Sequence, residues 1–310
     1  MISPLQSKLR AAVLILVGVA FASTQDAIVK AMSGTYPAYE TVAFRGLAAV
    51  PFISGWALWE GHFKNFITPD WPRVLLRSVI LCSAYFAFVL SIATLPIANA
   101  VAIYFTMPFF LCALSGWFLK EHVPLFRWVA ICIGFIGVLV SVRPGSETFQ
   151  PASLLALYAA FGYAIGQLIG RQISQTTAPV NIANFQNVFY LLGSIAIGLC
   201  VQATGITADA SPSLASLTRP FAIPTITDTM VMTGMGLLSA ISSIMFVKAY
   251  QAAPANFVAP FEYSAMLWAL IYGIFVFKDF PDRWTITGTI IVIAAGLFLA
   301  WRDRKPHEMG

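Results

Sequence analysis

The chain of 310 residues is poor in charge, with Asp, Glu, Lys and Arg at 10% against about 25% in an ordinary globular protein. So small a share cannot coat a water-soluble protein of this size, and disorder and coiled coil fail on the same shortage. Histidine is scarcer still: His62, His122 and His307 are the three present. That argues against a haem-bearing span or a histidine proton relay. The four cysteines, Cys82, Cys112, Cys132 and Cys200, all lie in apolar stretches. None has the spacing that holds zinc or a redox pair, so they read as packing or lipid-facing residues. The net charge is +5, yet no long basic run is present to track nucleic acid. The densest cluster, Arg302-Asp303-Arg304-Lys305, follows an apolar span, where a cytoplasmic anchor belongs. No metal ion, cofactor or nucleic-acid partner is expected.

Apolar residues are abundant instead, at 59% hydrophobic with 14% aromatic and a mean hydropathy of +0.80. A helix needs roughly 20 apolar residues to cross a bilayer. Candidate spans fall near 11–32, 38–59, 73–94, 98–119 and 126–143, then near 151–172, 180–202, 226–250, 254–277 and 283–301. Between them stand turns rich in Pro, Gly and charge, such as Ser33 to Pro37, Arg143-Pro144-Gly145 and Pro281-Asp282. The expected fold is an all-α integral membrane protein of ten transmembrane helices. Ala20-Phe21-Ala22 imitates a leader cleavage site, but Gln25-Asp26 runs on into Ile28-Val29, so the first span is read as retained.

The basic residues set the orientation. With the N-terminus inside, Lys8, Arg10, Lys64, Arg73, Arg77, Lys120, Arg127, Arg171, Lys248, Arg302, Arg304 and Lys305 face the cytoplasm. Lys30, Arg143, Arg219, Lys278 and Arg283 face outward, and Arg45 stays within the membrane. This asymmetry satisfies the positive-inside rule and makes both termini cytoplasmic.

The second half of the chain repeats the first. Pro96-Ile97-Ala98-Asn99-Ala100-Val101-Ala102 aligns with Ala253-Pro254-Ala255-Asn256-Phe257-Val258-Ala259. The same register pairs Gly116 with Gly273 and Phe118 with Phe275, while Phe44-Arg45 matches Phe185-Gln186 and Lys30 matches Arg171. Five helices is an odd number, so the two copies, 1–145 and 146–310, are expected to sit upside down relative to each other. Secondary transporters use such inverted repeats to build two interconverting states.

On these residues the chain resembles the drug/metabolite transporter superfamily, and within it the ten-helix EamA-type permeases. The carrying motifs are the Pro-x-Ala-Asn-Ala-Val-Ala opening of the fourth span and its Gly116-Trp117-Phe118-Leu119-Lys120-Glu121 end. Gly134-Phe135-Ile136-Gly137-Val138 in the fifth span and Gly288 to Gly296 in the tenth add to them. The chain is most similar to bacterial aromatic amino-acid exporters. The resemblance implies alternating access through a central cavity between the repeats. It implies export of amino acids or related metabolites across the bacterial inner membrane, by a chain functional as a monomer.

Two prolines occupy matching spans. Pro108 and Pro260 each remove a backbone donor and free the carbonyl four residues back, those of Tyr104 and Asn256. Broken helices at matching positions point to a substrate site near the midplane, though a packed kink gives the same sequence. Glu262 lies about 12 Å into the ninth span at 1.5 Å per residue. A carboxylate there binds a substrate ammonium or carries a coupling proton, or else is a neutral acid bonded within the bundle to neighbours such as Tyr263. Asp26 and Arg45 fall at equal depth, which permits a structural or gating ion pair. Gln167, Arg171, Asn184 and Gln186 occupy the equivalent region of the second half, and Asn181, Asn184 and Asn187 share one helix face. These polar groups serve as gates or as ordinary inter-helical bonds. Tyr85, Phe86, Phe88, Tyr104, Tyr163 and Trp268 are the candidate aromatic contacts, and Asn99 joins them from the repeated motif. Gly162, Gly166 and Gly170 form a small-residue packing stripe.

The expected function is a secondary active transporter that exports amino acids or related small metabolites, with protons as the candidate coupling ion. The alternative is a carrier of another class, such as a drug or nucleoside exporter. A channel remains a competitor, but paired broken helices speak for a carrier. A membrane enzyme would need a nucleophile with its base or a metal-ligand set, and the polar connections hold neither.

Overall fold

The computed structural model describes residues 4–60, 70–118, 125–143, 150–173, 176–205, 212–252, 258 and 261–302. The described residues are helical and contain no strand. In chain order the helices are α1 (Pro4–Met32), α2 (Ala38–Trp59), α3 (Trp71–Thr94), α4 (Ile97–Tyr104), α5 (Met107–Phe118) and α6 (Leu125–Val142). There follow α7 (Ala152–Ile173), α8 (Pro179–Thr204), α9 (Pro212–Thr218), α10 (Ile226–Ala252), α11 (Ser264–Phe275) and α12 (Arg283–Arg302). Six of them are long and apolar enough to cross a membrane: α1, α2, α3, α7, α8 and α10. Shorter apolar helices cover Ile97–Leu111, Trp128–Val142, Ser264–Phe275 and Arg283–Phe298. The protein is an all-helical, multi-pass membrane protein. The seven-residue α9 is the one described helix for which the hydropathy pattern gives no hint, since it is too short to make a span.

Local chemistry explains where the helices stop. Pro37 precedes α2 and Pro96 precedes α4, each in an extended conformation that a helix interior cannot hold. Gly205 closes α8 in the left-handed region at φ 61°, returning its N–H to the Val201 carbonyl. The fourth span is broken. α4 ends at Tyr104, Phe105 and Thr106 form a turn, and α5 begins at Met107. Pro108 has no N–H for the Tyr104 carbonyl, so the ladder fails one turn upstream of the ring itself. Thr106 settles part of the break by donating both its N–H (3.0 Å) and its hydroxyl (2.8 Å) to the Ile103 carbonyl.

Neighbouring helices follow a reciprocal pattern. α1 lies along α10 as α3 lies along α7, α1 touches α11 as α7 touches α4, and α10 meets α2 as α8 meets α3. The pairs α2 with α8, α6 with α12 and α4 with α11 complete the arrangement. Glycines set the closest approaches. A Cβ on Gly137 of α6 would lie 2.9 Å from the Gly288 carbonyl oxygen of α12, and Gly288 faces the Gly137 carbonyl in return. On α7 the stripe Gly162, Gly166 and Gly170 receives Ala84, Leu81 and Arg77 of α3 in successive turns. The outward faces of α6 and α12 carry Trp128, Ile136, Leu139, Ile290 and Phe298 exposed, as helices against lipid require.

Candidate functional site

A cavity of about 250 Å³ lies inside the bundle, bordered by residues from both halves of the sequence. α1 supplies Ser23, Gln25 and Asp26, α2 supplies Arg45, and α3 and α4 supply Tyr85, Phe88 and Tyr104. From the second half come Tyr163 on α7, Gln186 and Tyr190 on α8, Ser239 and Ser242 on α10, and Glu262 just before α11.

The α2 wall is fixed by two small residues. Gly46 lets α2 lie against Leu191 of α8, where a Cβ would sit 2.9 Å from the leucine Cβ. On the other side Gly236 of α10 reaches the Arg45 backbone carbonyl, too close for a side chain. Ser239, one turn on from Gly236, then falls beside the guanidinium. Arg45 donates to the Ser239 hydroxyl from Nε at 3.0 Å and from Nη2 at 2.7 Å. Its guanidinium carbon lies 4.4 Å from the centre of the Tyr85 ring and 5.2 Å from that of Tyr190. Those two rings stack at 4.9 Å and 23°. Cation–π contact of this kind is worth about 2 kcal/mol when desolvated, which offsets part of the cost of burying a charge.

The tyrosines continue around the wall. Tyr104 lies 5.7 Å from Tyr163 and 4.9 Å from Phe88 between ring centres. Gln186 donates to the Tyr190 hydroxyl at 2.6 Å, and Gln25 reaches Tyr85 (3.3 Å) and Asp26 (3.4 Å).

Of the residues expected from sequence, Asp26, Arg45, Tyr85, Tyr104, Tyr163, Gln186 and Glu262 meet at this cavity. The ion pair between Asp26 and Arg45 does not form. Packing turns Arg45 toward Ser239 and the tyrosines instead. Tyr263 does not border the cavity. Its ring stacks on Phe105 at 5.0 Å, and its hydroxyl, which has no hydrogen-bond partner, lies over Gly296 of α12. Asn99 and Gln167 are also absent from the lining. Asn184 donates to Ser54 at 2.9 Å as a link between α8 and α2. Phe86 is packed in the core, and Trp268 stacks on Tyr272 at 6.0 Å. Pro108 stands within α5, whereas Asn256 and Pro260 lie outside the described residues.

Tyr190 and Ser239 were not singled out from sequence. Tyr190 is signalled only by standing one turn beyond Gln186, and a serine inside a span carries no signal. Arg77 was assigned to the cytoplasmic charge count, yet it is 6% exposed. Its Nε donates to the Gly166 carbonyl at 3.1 Å, in the space that the glycine stripe opens.

One end of the bundle is closed by polar contacts between the two halves. Lys30 donates to the Leu95 carbonyl (2.8 Å) and pairs with Asp279 (3.1 Å). The Tyr36 hydroxyl donates to Asp228 at 2.6 Å, and Arg219 reaches the carbonyls of Ser33 (2.9 Å) and Gly34 (2.6 Å). Arg143 pairs with Asp282 at 2.6 Å. Burial alone would raise the Asp282 carboxyl, but hydrogen bonds from Thr285 and the Arg143 guanidinium hold it below the usual carboxylate range. At the opposite end the described cross-half contacts are fewer: Lys248 with Glu60 at 3.8 Å, Thr176 with Asp70 at 2.5 Å, and Ser7 with the Ala252 carbonyl.

A tyrosine-lined cavity with a few charged and polar groups, set among long apolar helices, defines the class as multi-pass membrane proteins with an internal cavity. Residues 9–143 match the EamA-like transporter family. Relatives run through both halves. An S-adenosylmethionine uptake transporter of Rickettsia bellii is 24% identical over 288 residues, covering 91% of this chain and 90% of the relative. A riboflavin transporter of Rhizobium johnstonii is 28% identical, covering 98% and 96%. A pseudopaline exporter of Pseudomonas aeruginosa is 24% identical, covering 91% and 93%. Over residues 9–143 the chain is thus similar to the EamA-like transporter family, and its relatives over both halves are named as transporters. It is a transporter, and the family and its named relatives point away from an enzyme.

Proposed function

We propose that the protein is a secondary active transporter that carries amino acids or related small metabolites by alternating access through the central cavity. It acts as a monomer in the bacterial inner membrane, with both termini cytoplasmic. The observation that carries this reading is that helices from both halves wall one cavity, where Arg45 and its sequence equivalent Gln186 both border the ligand space. The reciprocal helix neighbours support two inverted repeats, 1–145 and 146–310, with the laced end facing outward. Such a bundle exposes its cavity alternately as one repeat rocks against the other. Asp26 and Glu262 are carboxylates inside the membrane, costly unless they meet a cation, and they fit the ammonium of a substrate or a coupling proton. The tyrosine rings suit an apolar or aromatic side chain.

Direction follows gradients rather than cavity shape, and the named relatives include one uptake carrier and one exporter. Export, which the sequence resemblance implies, is the direction to assay first. The test is counterflow into proteoliposomes with a panel of aromatic, aliphatic and charged amino acids, run in both directions. Saturable counterflow that Glu262→Gln slows at least fivefold, with loss of its pH dependence, is expected. Flux that never saturates would make the protein a channel. Transport of nucleosides or drugs with no amino acid accepted would favour the other carrier class.

A further inference from the structure

Arg45 is the one cavity residue whose chemistry is left incomplete by its surroundings. It is 6% exposed, and its guanidinium carries five N–H donors. Two of them are spent on Ser239, and Nη1 has no hydrogen-bond partner. A guanidinium carries its charge wherever it is placed in a protein. The rings of Tyr85 and Tyr190 offer their faces to the cation, and the Tyr85 side chain also interacts with the guanidinium as a hydrogen-bond partner, but neither tyrosine supplies a negative charge. Asp26, the nearest candidate counter-ion by depth, is not paired with it. A charged donor thus stands in the cavity wall, with the backbone beneath it packed tightly against α8 and α10 and with Nη1 buried and unpartnered.

We infer that Arg45 is the docking point for a carboxylate of the transported molecule. The two terminal nitrogens of a guanidinium match the two oxygens of a carboxylate, and such charge-assisted pairs are about twice as strong as neutral hydrogen bonds. Ser239 holds the guanidinium in place, and the stacked pair Tyr85 and Tyr190 supports it from the side. Asp26 and Glu262 border the same cavity. The carrier therefore selects molecules with an anionic group, zwitterions included, and discriminates against the corresponding amines. This rests on the transporter reading, and it adds the specificity that the reading lacks.

The test uses binding to the purified full chain in detergent, independent of any flux. The probes are L-phenylalanine, 3-phenylpropionate and 2-phenylethylamine, which share a ring and differ in charge, and calorimetry gives the affinity of each. Both carboxylates should bind wild type at least tenfold tighter than the amine. Arg45→Gln should weaken both by tenfold or more and leave the amine unchanged, which also shows that the variant is folded. Should Arg45→Gln fail to fold, Arg45→Lys decides: it keeps the charge, loses the fork, and should weaken the carboxylates alone. The inference is overturned if 3-phenylpropionate binds a folded Arg45 variant as it binds wild type, if the amine matches the carboxylates, or if neither carboxylate binds. The transporter reading fails separately, when proteoliposomes show no counterflow whatever the detergent result.

Discussion

At the laced end of the bundle Lys30 meets Asp279 at 3.1 Å and Arg143 meets Asp282 at 2.6 Å, each pair joining the two halves of the chain. One helical turn deeper along α1, Asp26 shares a cavity wall with Arg45, and the two do not touch. The same membrane-poor inventory of charge is spent in opposite ways. A paired charge has its field cancelled on the spot and acts as a latch. A charge held on serine and aromatic faces keeps its field in a low-dielectric cavity, where it is available to a ligand. At the closure the charges are paired, and at the cavity Arg45 is held by a hydroxyl and two rings.

The most severe way to break that contrast is to give the cavity a pair of its own. Ser239→Asp places a carboxylate where the hydroxyl now accepts two bonds from Arg45. A resident counter-ion then competes with any incoming anion at an effective concentration no free ligand reaches. Counterflow and 3-phenylpropionate binding should both fall by at least tenfold, while the apparent melting temperature holds or rises. Unaltered binding would mean that the Arg45 guanidinium is not the place where ligands dock.

The converse change removes a pair from the closure. Lys30 has three partners, the Leu95 carbonyl, the Asp279 carboxylate and the Phe277 ring at 5.0 Å. Lys30→Met leaves the first two partly buried and unmatched, a loss of about 2 kcal/mol on the scale of broken charged hydrogen bonds. A lower apparent melting temperature is expected. So is faster labelling, by an impermeant thiol reagent, of a cysteine placed at Gly34 on that end. Substrate affinity should move by less than threefold, because the pair lies outside the cavity. A tenfold change in affinity with unchanged labelling would erase the division between latch and site.

How much of this was legible in the sequence depends on which physical rule governed each feature. Helix ends obey local rules, so Pro37, Pro96 and the turn after Met32 bound the helices where the residues say they do. The break in the fourth span was legible from Pro108, and its displacement to Phe105 and Thr106 follows from the acceptor standing four residues back. The rarity of charge within apolar spans was legible too, and the three charges it singles out, Asp26, Arg45 and Glu262, all border the cavity. Rotation about the helix axis was not, because it is set by contacts between distant segments. Gly46 against Leu191 and Gly236 against the Arg45 carbonyl set how α2 lies between α8 and α10, and neither contact can be read along one helix. Arg77 shows the same limit. Charge counting assigns it to a cytoplasmic segment and says nothing of its burial, which the glycine stripe of α7, some ninety residues away in sequence, provides.

The mildest change tests where the cavity ends. Glu262 and Tyr263 are adjacent in sequence, and both were expected at the site, but only Glu262 borders the cavity. Tyr263 turns to stack on Phe105, and its buried hydroxyl makes no hydrogen bond beside Gly296, where α12 has no room for a side chain. Removing a buried hydroxyl that has no partner releases a desolvation cost and breaks nothing, so Tyr263→Phe should be neutral or slightly stabilising. Counterflow should stay within twofold of wild type, with its pH dependence intact, in the same preparation where Glu262→Gln loses both. If Tyr263→Phe slowed transport as far as Glu262→Gln does, the hydroxyl would have to reach the ligand during the cycle. The boundary drawn between cavity and packing seam would then belong to one conformation of the carrier and not to its mechanism.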